Sequence, residues 1–234
     1  MRGKMDNERT QNPQQWRVRS FVRRTGRITK RQQAAYQRLP DFFGIKPGTE
    51  RLSLASSFGR EAPLTLEIGF GMGESTAAIA ERYPEKNYLA IEVHPAGIGN
   101  LVALLEEKKL SNVRIIEHDA IEVLENAIPD STLSAIHIYF PDPWPKKRHR
   151  KRRLIKPKTA CLFCQKLKLG GYIHVATDWQ EYAEEILVIF QNESQLSNTA
   201  TGFAKRPAWR PQTKFEQKAE RADRHSFDII FERQ

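Results

Sequence analysis

Cysteine is scarce in this sequence, and no long hydrophobic run occurs in it. The chain of 234 residues has two cysteines, Cys161 and Cys164, which form a lone C-x-x-C pair within an apolar stretch. A structural zinc site needs a second pair of ligands, so we expect packed, reduced thiols and no bound metal. No apolar segment has the length of a signal peptide or a membrane-spanning helix. We therefore expect a cytoplasmic protein that does not bind a membrane.

Acidic residues are outnumbered, and the excess of positive charge is confined to two segments. Against 28 Asp and Glu, the chain has 38 Lys and Arg. Residues 1–40 contain 11 basic and 2 acidic residues, and residues 143–158 contain 9 basic residues and no acidic one. The remainder is acidic on balance. Basic segments on an acidic body are typical of a polyanion-binding surface, because each neutralised phosphate releases counterions.

The two basic segments have different expected roles. We interpret residues 143–158 as a phosphate-binding surface. Residues 1–40 have no hydrophobic period from which a core could form, so we predict a basic N-terminal arm that is partly disordered, at least to about residue 15. The remaining residues, 41–234, have a length typical of one globular domain.

The hydrophobic pattern of this domain alternates between short β-rich runs and longer helical ones. Continuous apolar runs, typical of buried parallel strands, occupy residues 64–69, 87–92, 113–118, 133–140 and 171–177. Helical patterns occupy residues 74–83, 95–109, 120–127, 157–169 and 179–191. The alternation indicates βαβ units and an α/β fold with a mostly parallel sheet. Residues 226–232 are predicted to be the last strand, for which an antiparallel direction is open.

The first predicted strand ends in a glycine-rich loop, E-I-G-F-G-M-G-E, with Gly69, Gly71 and Gly73 at alternate positions. Glycine at a strand-to-helix turn lets the backbone approach a ligand closely. A dinucleotide-binding loop is the alternative, but its third small residue would fall where Glu74 stands. Glu67, just before the glycines, would also repel a pyrophosphate. A carboxylate there suits the cationic ammonium of a methionine moiety.

Two further acids follow the next predicted strands. Glu92 ends the second strand, at the spacing expected for an acid that accepts hydrogen bonds from ribose hydroxyls. Asp119 follows the third strand, where its side chain either receives an adenine amino group or caps the next helix. Ligands of open α/β sheets bind at this edge. The three acids therefore favour an adenosine cofactor with positive charge over a nicotinamide dinucleotide.

The fourth predicted strand leads into H-I-Y-F-P-D-P-W-P-K-K-R-H-R-K-R-R. Prolines on both sides of Asp142 make a stiff loop that holds a carboxylate and the Trp144 ring at the same sheet edge. A flat base can stack on an aromatic ring while a basic run holds phosphates, which predicts an RNA substrate. The alternative is a structural turn with a packed tryptophan.

If the positively charged adenosine cofactor is a methyl donor, the residues that this loop lacks limit which atom of the RNA is methylated. Methylation of C5 of a pyrimidine usually needs a thiol nucleophile, and no cysteine is near the loop. Purine N7 has a lone pair and no proton to remove, so it needs only alignment and stabilisation of the positive charge it acquires. Asp142, Asp178 and Glu216 are candidates to hold the N1 and N2 donors of a guanine. Salt-bridged surface acids are the alternative, most of all for Glu216.

At these residues the sequence resembles the bacterial tRNA (guanine-N7-)-methyltransferase family, from about Arg19 to the C-terminus. The shared motifs are R-S-F-V-R-R-T-G-R at 19–27, the E-I-G-F-G-M-G loop, I-E-V-H at 91–94, Y-F-P-D-P-W-P-K at 139–146, A-T-D at 176–178 and T-K-F-E at 213–216. The resemblance implies a Rossmann-like class I methyltransferase with a seven-stranded sheet. It also implies S-adenosylmethionine as cofactor, tRNA as partner, and methylation of N7 of guanosine 46 in the variable loop.

The resemblance also implies roles for individual residues. The cofactor-binding acids would be Glu67, Glu92, Asp119 and Asp142, beside the three loop glycines, and Asp142 would also be catalytic. The substrate-binding positions would be Lys146, Asp178, Thr213, Lys214, Phe215 and Glu216. The RNA-contacting run would be Arg148, His149, Arg150, Lys151, Arg152 and Arg153. A non-catalytic RNA-binding protein on the same fold is the alternative function, and both a monomer and a homodimer are open.

Overall fold

The computed structural model describes residues 18–22, 26–48, 51–212, 216 and 225–234. The helices within these ranges are α1 Lys30–Gln37, α2 Leu39–Phe42, α3 Leu54–Phe58, α4 Glu74–Arg82, α5 Pro95–Glu107, α6 Ala120–Asn126, α7 Pro157–Lys166 and α8 Gln180–Gln191. None of these helices is both long and apolar enough to span a membrane. The disorder predicted for the first 15 residues lies outside the described residues.

The strands within the described residues form one sheet of seven, in the order β3-β2-β1-β4-β5-β7-β6. They are β1 Leu64–Ile68, β2 Asn87–Glu92, β3 Val113–Glu117, β4 Leu133–Tyr139, β5 Leu167–Thr177, β6 Leu196–Asn198 and β7 Phe227–Arg233. Neighbours from β3 to β5 pair in parallel, whereas β7 is antiparallel to both β5 and β6. The predicted Rossmann-like fold is confirmed.

Helices cover both faces of the sheet, as the alternation of side chains along β2 shows. Leu89 and Ile91 pack into a core with α6, α7 and α8. Tyr88 and Ala90 point to the other face and pack with α1, α4 and α5. Both faces of the parallel strands are therefore buried, which explains why these strands are continuous apolar runs in the sequence.

Part of the predicted N-terminal arm, residues 1–40, packs on the domain as helix α1, although the sequence shows no hydrophobic period there. It begins with a capping box between Thr29 and Gln32 and packs against α5, with Ala35 buried. The close approach requires Gly99 of α5, because a Cβ there would clash with the carbonyl oxygen of Gln32. The helix is mostly polar and buries few apolar side chains, so it has no clear hydrophobic period.

Three smaller differences concern the second half of the chain. Helix α7 ends at Lys166, where the sequence pattern predicts a helix to residue 169, because β5 begins four residues earlier than expected. The three-residue strand β6 is not predicted at all. Both cysteines are free, and Cys164 is buried as expected, but Cys161 is exposed on α7.

Candidate active site

A cavity of about 230 Å³ opens at the carboxyl edge of the sheet. It lies where β1 has β2 on one side and β4 on the other, so that the strand order reverses, which is the usual ligand site of open α/β sheets. Residues that follow or end β1, β2, β3 and β4 line this first cavity, among them Gly69, Glu92, His118, Tyr139, Phe140 and Asp142. The structure therefore brings together three of the predicted cofactor residues.

The glycine loop passes directly beside the first cavity. Gly69, Gly71 and Gly73 all have φ between 58° and 74°, a conformation that disfavours any side chain. The loop lies so close to α5 that a Cβ at Gly97 would clash with the carbonyl oxygen of Gly71. Gly73 is the N-cap of α4, so the loop forms the strand-to-helix turn predicted from the sequence.

Glu92 is fixed at the wall of the first cavity by three backbone donors. Its Oε2 accepts a hydrogen bond from the amide of Gly71 at 3.1 Å. Its Oε1 accepts hydrogen bonds from the amides of Val93 at 2.6 Å and His94 at 3.2 Å. Each carboxylate oxygen has two lone pairs, so further hydrogen bonds from a ligand can be accepted. This geometry suits recognition of hydroxyl groups.

Glu67 lies one residue behind the wall of this cavity, on β1, and only 4% of it is exposed. Burial raises the pKa of Glu67 to about 7, the hydroxyl of Thr76 opposes that rise, and the nearby Glu92 adds to it. A carboxyl group in this state readily loses its proton when a cation approaches. Contact of Glu67 with an ammonium group remains a prediction.

Asp119 has the role that was the alternative in the sequence. Its Oδ1 accepts a hydrogen bond from the amide of Ile121 at 2.9 Å and thereby caps α6. Its neighbours His118 and Ala120 line the first cavity. The cap thus fixes the end of β3 at the cavity, and contact with an adenine remains a prediction.

The loop after β4 holds Asp142, which is exposed, between two residues with strained backbone. Phe140 has a φ of 52° and Trp144 a φ of 44°, and such conformations cost about 1–3 kcal/mol each in residues other than glycine. The Phe140 amide donates to the carbonyl oxygen of Ala176 at 2.7 Å. The Trp144 indole donates to the carbonyl oxygen of Ser20 at 3.1 Å. The loop is therefore held at both ends.

A second cavity, of about 330 Å³, adjoins this loop and is lined by Val22, His94, Asp142, Pro143, Trp144 and Pro145. Asp142 and His94 line both cavities, so these two residues lie where the cavities meet. The segment 18–22 crosses the same region, because Ser20 and Phe21 line the first cavity. Sequence reasoning assigned no role to His94 or to this segment, although both lie in the motifs quoted above.

The remaining substrate-binding predictions fall into two groups. Lys146 is exposed and precedes a 3-10 helix over Lys147–Arg152, and Asp178 is half-buried directly after β5. Both are therefore at the carboxyl edge of the sheet, as predicted. Thr213, Lys214 and Phe215 lie outside the described residues.

Glu216 is buried in an ion pair, so the alternative of a salt-bridged surface acid is right about the salt bridge and wrong about the surface. Arg210 donates to both of its carboxylate oxygens, each at 2.7 Å, and the Ser226 hydroxyl donates to Oε1 at 2.9 Å. The carboxylate is thus part of an internal ion-pair network with Asp228 of β7. Contact of Glu216 with a guanine remains a prediction.

The basic run is exposed, with one exception. Lys147, Arg148, Arg150 and Lys151 face solvent, and Arg152 and His149 are partly exposed. The structure contradicts the prediction that Arg153 contacts RNA, because its side chain is fully buried among protein acceptors.

Comparison with known proteins gives consistent matches. A family model described as "Putative methyltransferase" matches residues 61–229. The tRNA (guanine-N(7)-)-methyltransferase of Nitrosospira multiformis is 52% identical over 214 residues, which cover 92% of this chain and 93% of that protein. The protein of the same name from Methylobacillus flagellatus is 52% identical over 217 residues, covering 92% and 91%.

Among solved structures, the precorrin-6y C5,15-methyltransferase of Geobacter metallireducens has a similar fold, with a TM-score of 0.50. The match covers 80% of this chain and 93% of that chain at 13% identity. Fold, glycine loop and strand-end acids together define a Rossmann-like methyltransferase. Within that class, the chain belongs to the tRNA (guanine-N(7)-)-methyltransferase family. The resemblance seen in the sequence is confirmed, and a non-catalytic RNA-binding protein is not favoured.

Proposed function

We propose that this protein transfers the methyl group of S-adenosylmethionine to N7 of guanosine 46 in the variable loop of tRNA, in the cytoplasm. The observation that carries the proposal is the position of Asp142, a residue that lines both cavities at the carboxyl edge of the sheet. The first cavity is the cofactor site, and the second receives the guanine. The relatives, named tRNA (guanine-N(7)-)-methyltransferase, support methylation of N7 of a guanine in tRNA, and position 46 rests on the resemblance of the sequence motifs.

The residues around the first cavity fit S-adenosylmethionine. Glu92 accepts hydrogen bonds from the ribose hydroxyls, since its carboxylate is already oriented at the wall by backbone amides. Glu67 binds the ammonium group, for which a buried carboxyl that titrates near neutrality is suited. The cofactor supplies a methyl group on a positively charged sulfur. The protein contributes by aligning the base with this methyl group and by stabilising the charge that develops.

The protein's task at the second cavity is alignment. Because N7 of guanine has a lone pair and no proton, the reaction needs no general base. Asp142 orients the base and stabilises the positive charge that the purine ring acquires. Asp178 accepts hydrogen bonds from N1 and N2 of the guanine, and the T-K-F-E segment at 213–216 contributes to the same substrate site. Trp144 bounds this cavity and offers an aromatic wall to the flat base.

The tRNA backbone binds to the exposed basic run. Lys146 follows Pro145, which lines the second cavity, and His149 and Arg152 of the 3-10 helix contact the Trp144 ring of the same wall. Phosphates bound to this run therefore bring the neighbouring base close to Asp142. A base stacked within folded tRNA does not present N7 to the cofactor, so the base leaves its stack on binding.

The test is to incubate the purified protein with S-adenosylmethionine and an unmodified tRNA transcript and to identify methylated nucleosides by mass spectrometry. We expect N7-methylguanosine. A different methylated nucleoside would overturn the N7 assignment. Measured binding of both ligands without any methylated product would favour the non-catalytic RNA-binding alternative.

A further inference from the structure

Arg153 stands out from the basic run, because its guanidinium is enclosed by the protein. Its Nε donates to the carbonyl oxygen of Pro143 at 2.9 Å. Its Nη1 and Nη2 donate to the two carboxylate oxygens of Glu181 on α8, at 3.1 and 3.0 Å. Nη1 also donates to Glu185, one turn further along the same helix. The guanidinium therefore joins the loop after β4 to α8.

The guanidinium is also covered by an aromatic ring. It lies 4.6 Å from the centroid of the Tyr182 ring, and the Tyr182 hydroxyl accepts a hydrogen bond from the amide of Ile155 at 3.1 Å. By contrast, 44% of the Arg150 side chain is exposed, although Arg150 pairs with Glu181 as well. A phosphate would reach Arg153 only by displacing a carboxylate and this ring, so it does not serve as an RNA contact.

The acceptor at Pro143 adjoins the residues that matter for the proposed reaction. Pro143 stands between Asp142 and Trp144, and the loop has prolines at 141, 143 and 145, which lack amide donors. The loop therefore has few backbone hydrogen bonds with which to hold the strained φ angles of Phe140 and Trp144. Strained backbone persists only where the surroundings fix it. The hydrogen bond from Arg153 to Pro143 provides such a constraint directly beside Asp142.

We propose that Arg153 is a positioning residue, which fixes the backbone at Pro143 and thereby the Asp142 carboxylate at the junction of the two cavities. The proposal rests on the function proposed above. Glu181 and Glu185 supply the counter-charges that allow an arginine to be buried at this place. Arginine is needed because its planar fork reaches the carbonyl and both carboxylates at once, whereas a lysine ammonium is a single point of charge.

The decisive variant is Arg153→Lys, which keeps the charge and loses the fork. We measure the single-turnover rate of methyl transfer from a preformed complex with S-adenosylmethionine and tRNA, and separately the affinity for each ligand. We expect the rate to fall by about tenfold to a hundredfold, because small misplacements of a reacting group have effects of that size. Both affinities and the salt dependence of tRNA binding should stay within about twofold. Loss of a merely structural residue would lower the affinities as well, and loss of an RNA contact would reduce the salt dependence. Arg51→Lys, at an exposed arginine beside Asp130 at the opposite edge of the sheet, is the matched control and should keep the wild-type rate.

Glu181→Gln tests the same constraint from α8 and keeps the proposal testable if Arg153→Lys does not fold. Because 43% of the Glu181 side chain is exposed, this variant should fold, and we expect a smaller fall in the same rate with unchanged affinities. Wild-type single-turnover rates in folded Arg153→Lys, or in Glu181→Gln alone, would overturn the positioning role. A weaker salt dependence of tRNA binding in Arg153→Lys would show an RNA contact instead. Absence of transfer by the wild-type protein would overturn the proposed function itself, and the positioning role with it.

Discussion

Arg210 and Glu216 form a buried bidentate ion pair, with both hydrogen bonds at 2.7 Å. The same guanidinium binds Asp228 of β7 at 2.7 and 2.8 Å. It also lies 5.8 Å from the ring centroid of Tyr139, which lines the first cavity. One arginine thus attaches the residue that ends the T-K-F-E motif to the sheet beside the candidate active site.

Replacing Arg210 should destabilise the fold strongly. Arg210→Met leaves the buried carboxylates of Glu216 and Asp228 without their cation, and breaking a buried ion pair in this way costs about 3–5 kcal/mol. We expect a loss of this size in the free energy of unfolding, measured with urea. Arg206→Met, at an exposed position four residues earlier, is the control and should be near neutral. A loss below about 1 kcal/mol for Arg210→Met would contradict the stabilising role of the network.

Cofactor binding should release protons through Glu67. Burial raises the pKa of this carboxyl to about 7, so that near pH 7 about half of the molecules hold the proton. Binding of an ammonium group next to it lowers the pKa again, and the proton leaves. We expect calorimetric titrations in buffers of different ionisation enthalpy to show release of about half a proton at pH 7, declining toward pH 9. If Glu67→Gln released as many protons as the wild type, the assignment of the ammonium to Glu67 would be wrong.

The close approach of α5 to the glycine loop should be essential for cofactor binding. Gly97→Ala places a Cβ against the carbonyl oxygen of Gly71 and displaces the loop from Glu92. We expect affinity for S-adenosylmethionine to fall by tenfold or more, since a hydrogen-bonded carboxylate at the cavity wall loses its orientation. Gly26→Ala, where an added Cβ meets no atom within 4 Å, should bind the cofactor normally. Unchanged affinity in Gly97→Ala would show that the loop is not part of the cofactor site.

The exposed basic residues should govern tRNA affinity and its dependence on salt. Arg148→Ala removes one cation from the exposed basic run, and each lost phosphate contact reduces the salt slope by about 0.7–0.9. We expect weaker tRNA binding with a smaller slope and an unchanged affinity for the cofactor. The control is Arg51→Ala, an exposed arginine beside Asp130, which precedes β4 at the opposite edge of the sheet. Equal effects of both substitutions would show that tRNA does not bind at the basic run.

Much of this fold could be predicted, because its central strands are buried on both faces. β2 has the same bounds as the apolar run at 87–92. Once the strand ends are known, the acids that lie at them can be placed at the edge of the sheet. Helix α1 could not be predicted, because it buries little besides Ala35 and depends on a glycine of α5 that is distant in sequence. Strand β6 has only three residues, too few for any period to appear.

The parts of the candidate site that the sequence did not predict also depend on contacts between residues distant in sequence. The sequence presents Arg153 as one member of a uniform basic run, and its burial depends on Glu181 and Glu185, which follow some thirty residues later. The burial of Glu216 could not be predicted either, because the residues that follow its partner Arg210 show no apolar pattern. Local sequence therefore identified which residues carry charge at this edge, and tertiary pairing decided which of those charges are enclosed by the protein.

The central claim is tested most directly with two tRNA transcripts that differ only in guanosine or adenosine at position 46. Each is incubated with the protein and S-adenosylmethionine, and N7-methylguanosine is quantified per transcript by mass spectrometry. We predict close to one methylated guanosine per transcript with guanosine 46 and none with adenosine 46. Equal amounts of N7-methylguanosine in both transcripts would contradict the assigned position, and its absence from both would contradict the reaction.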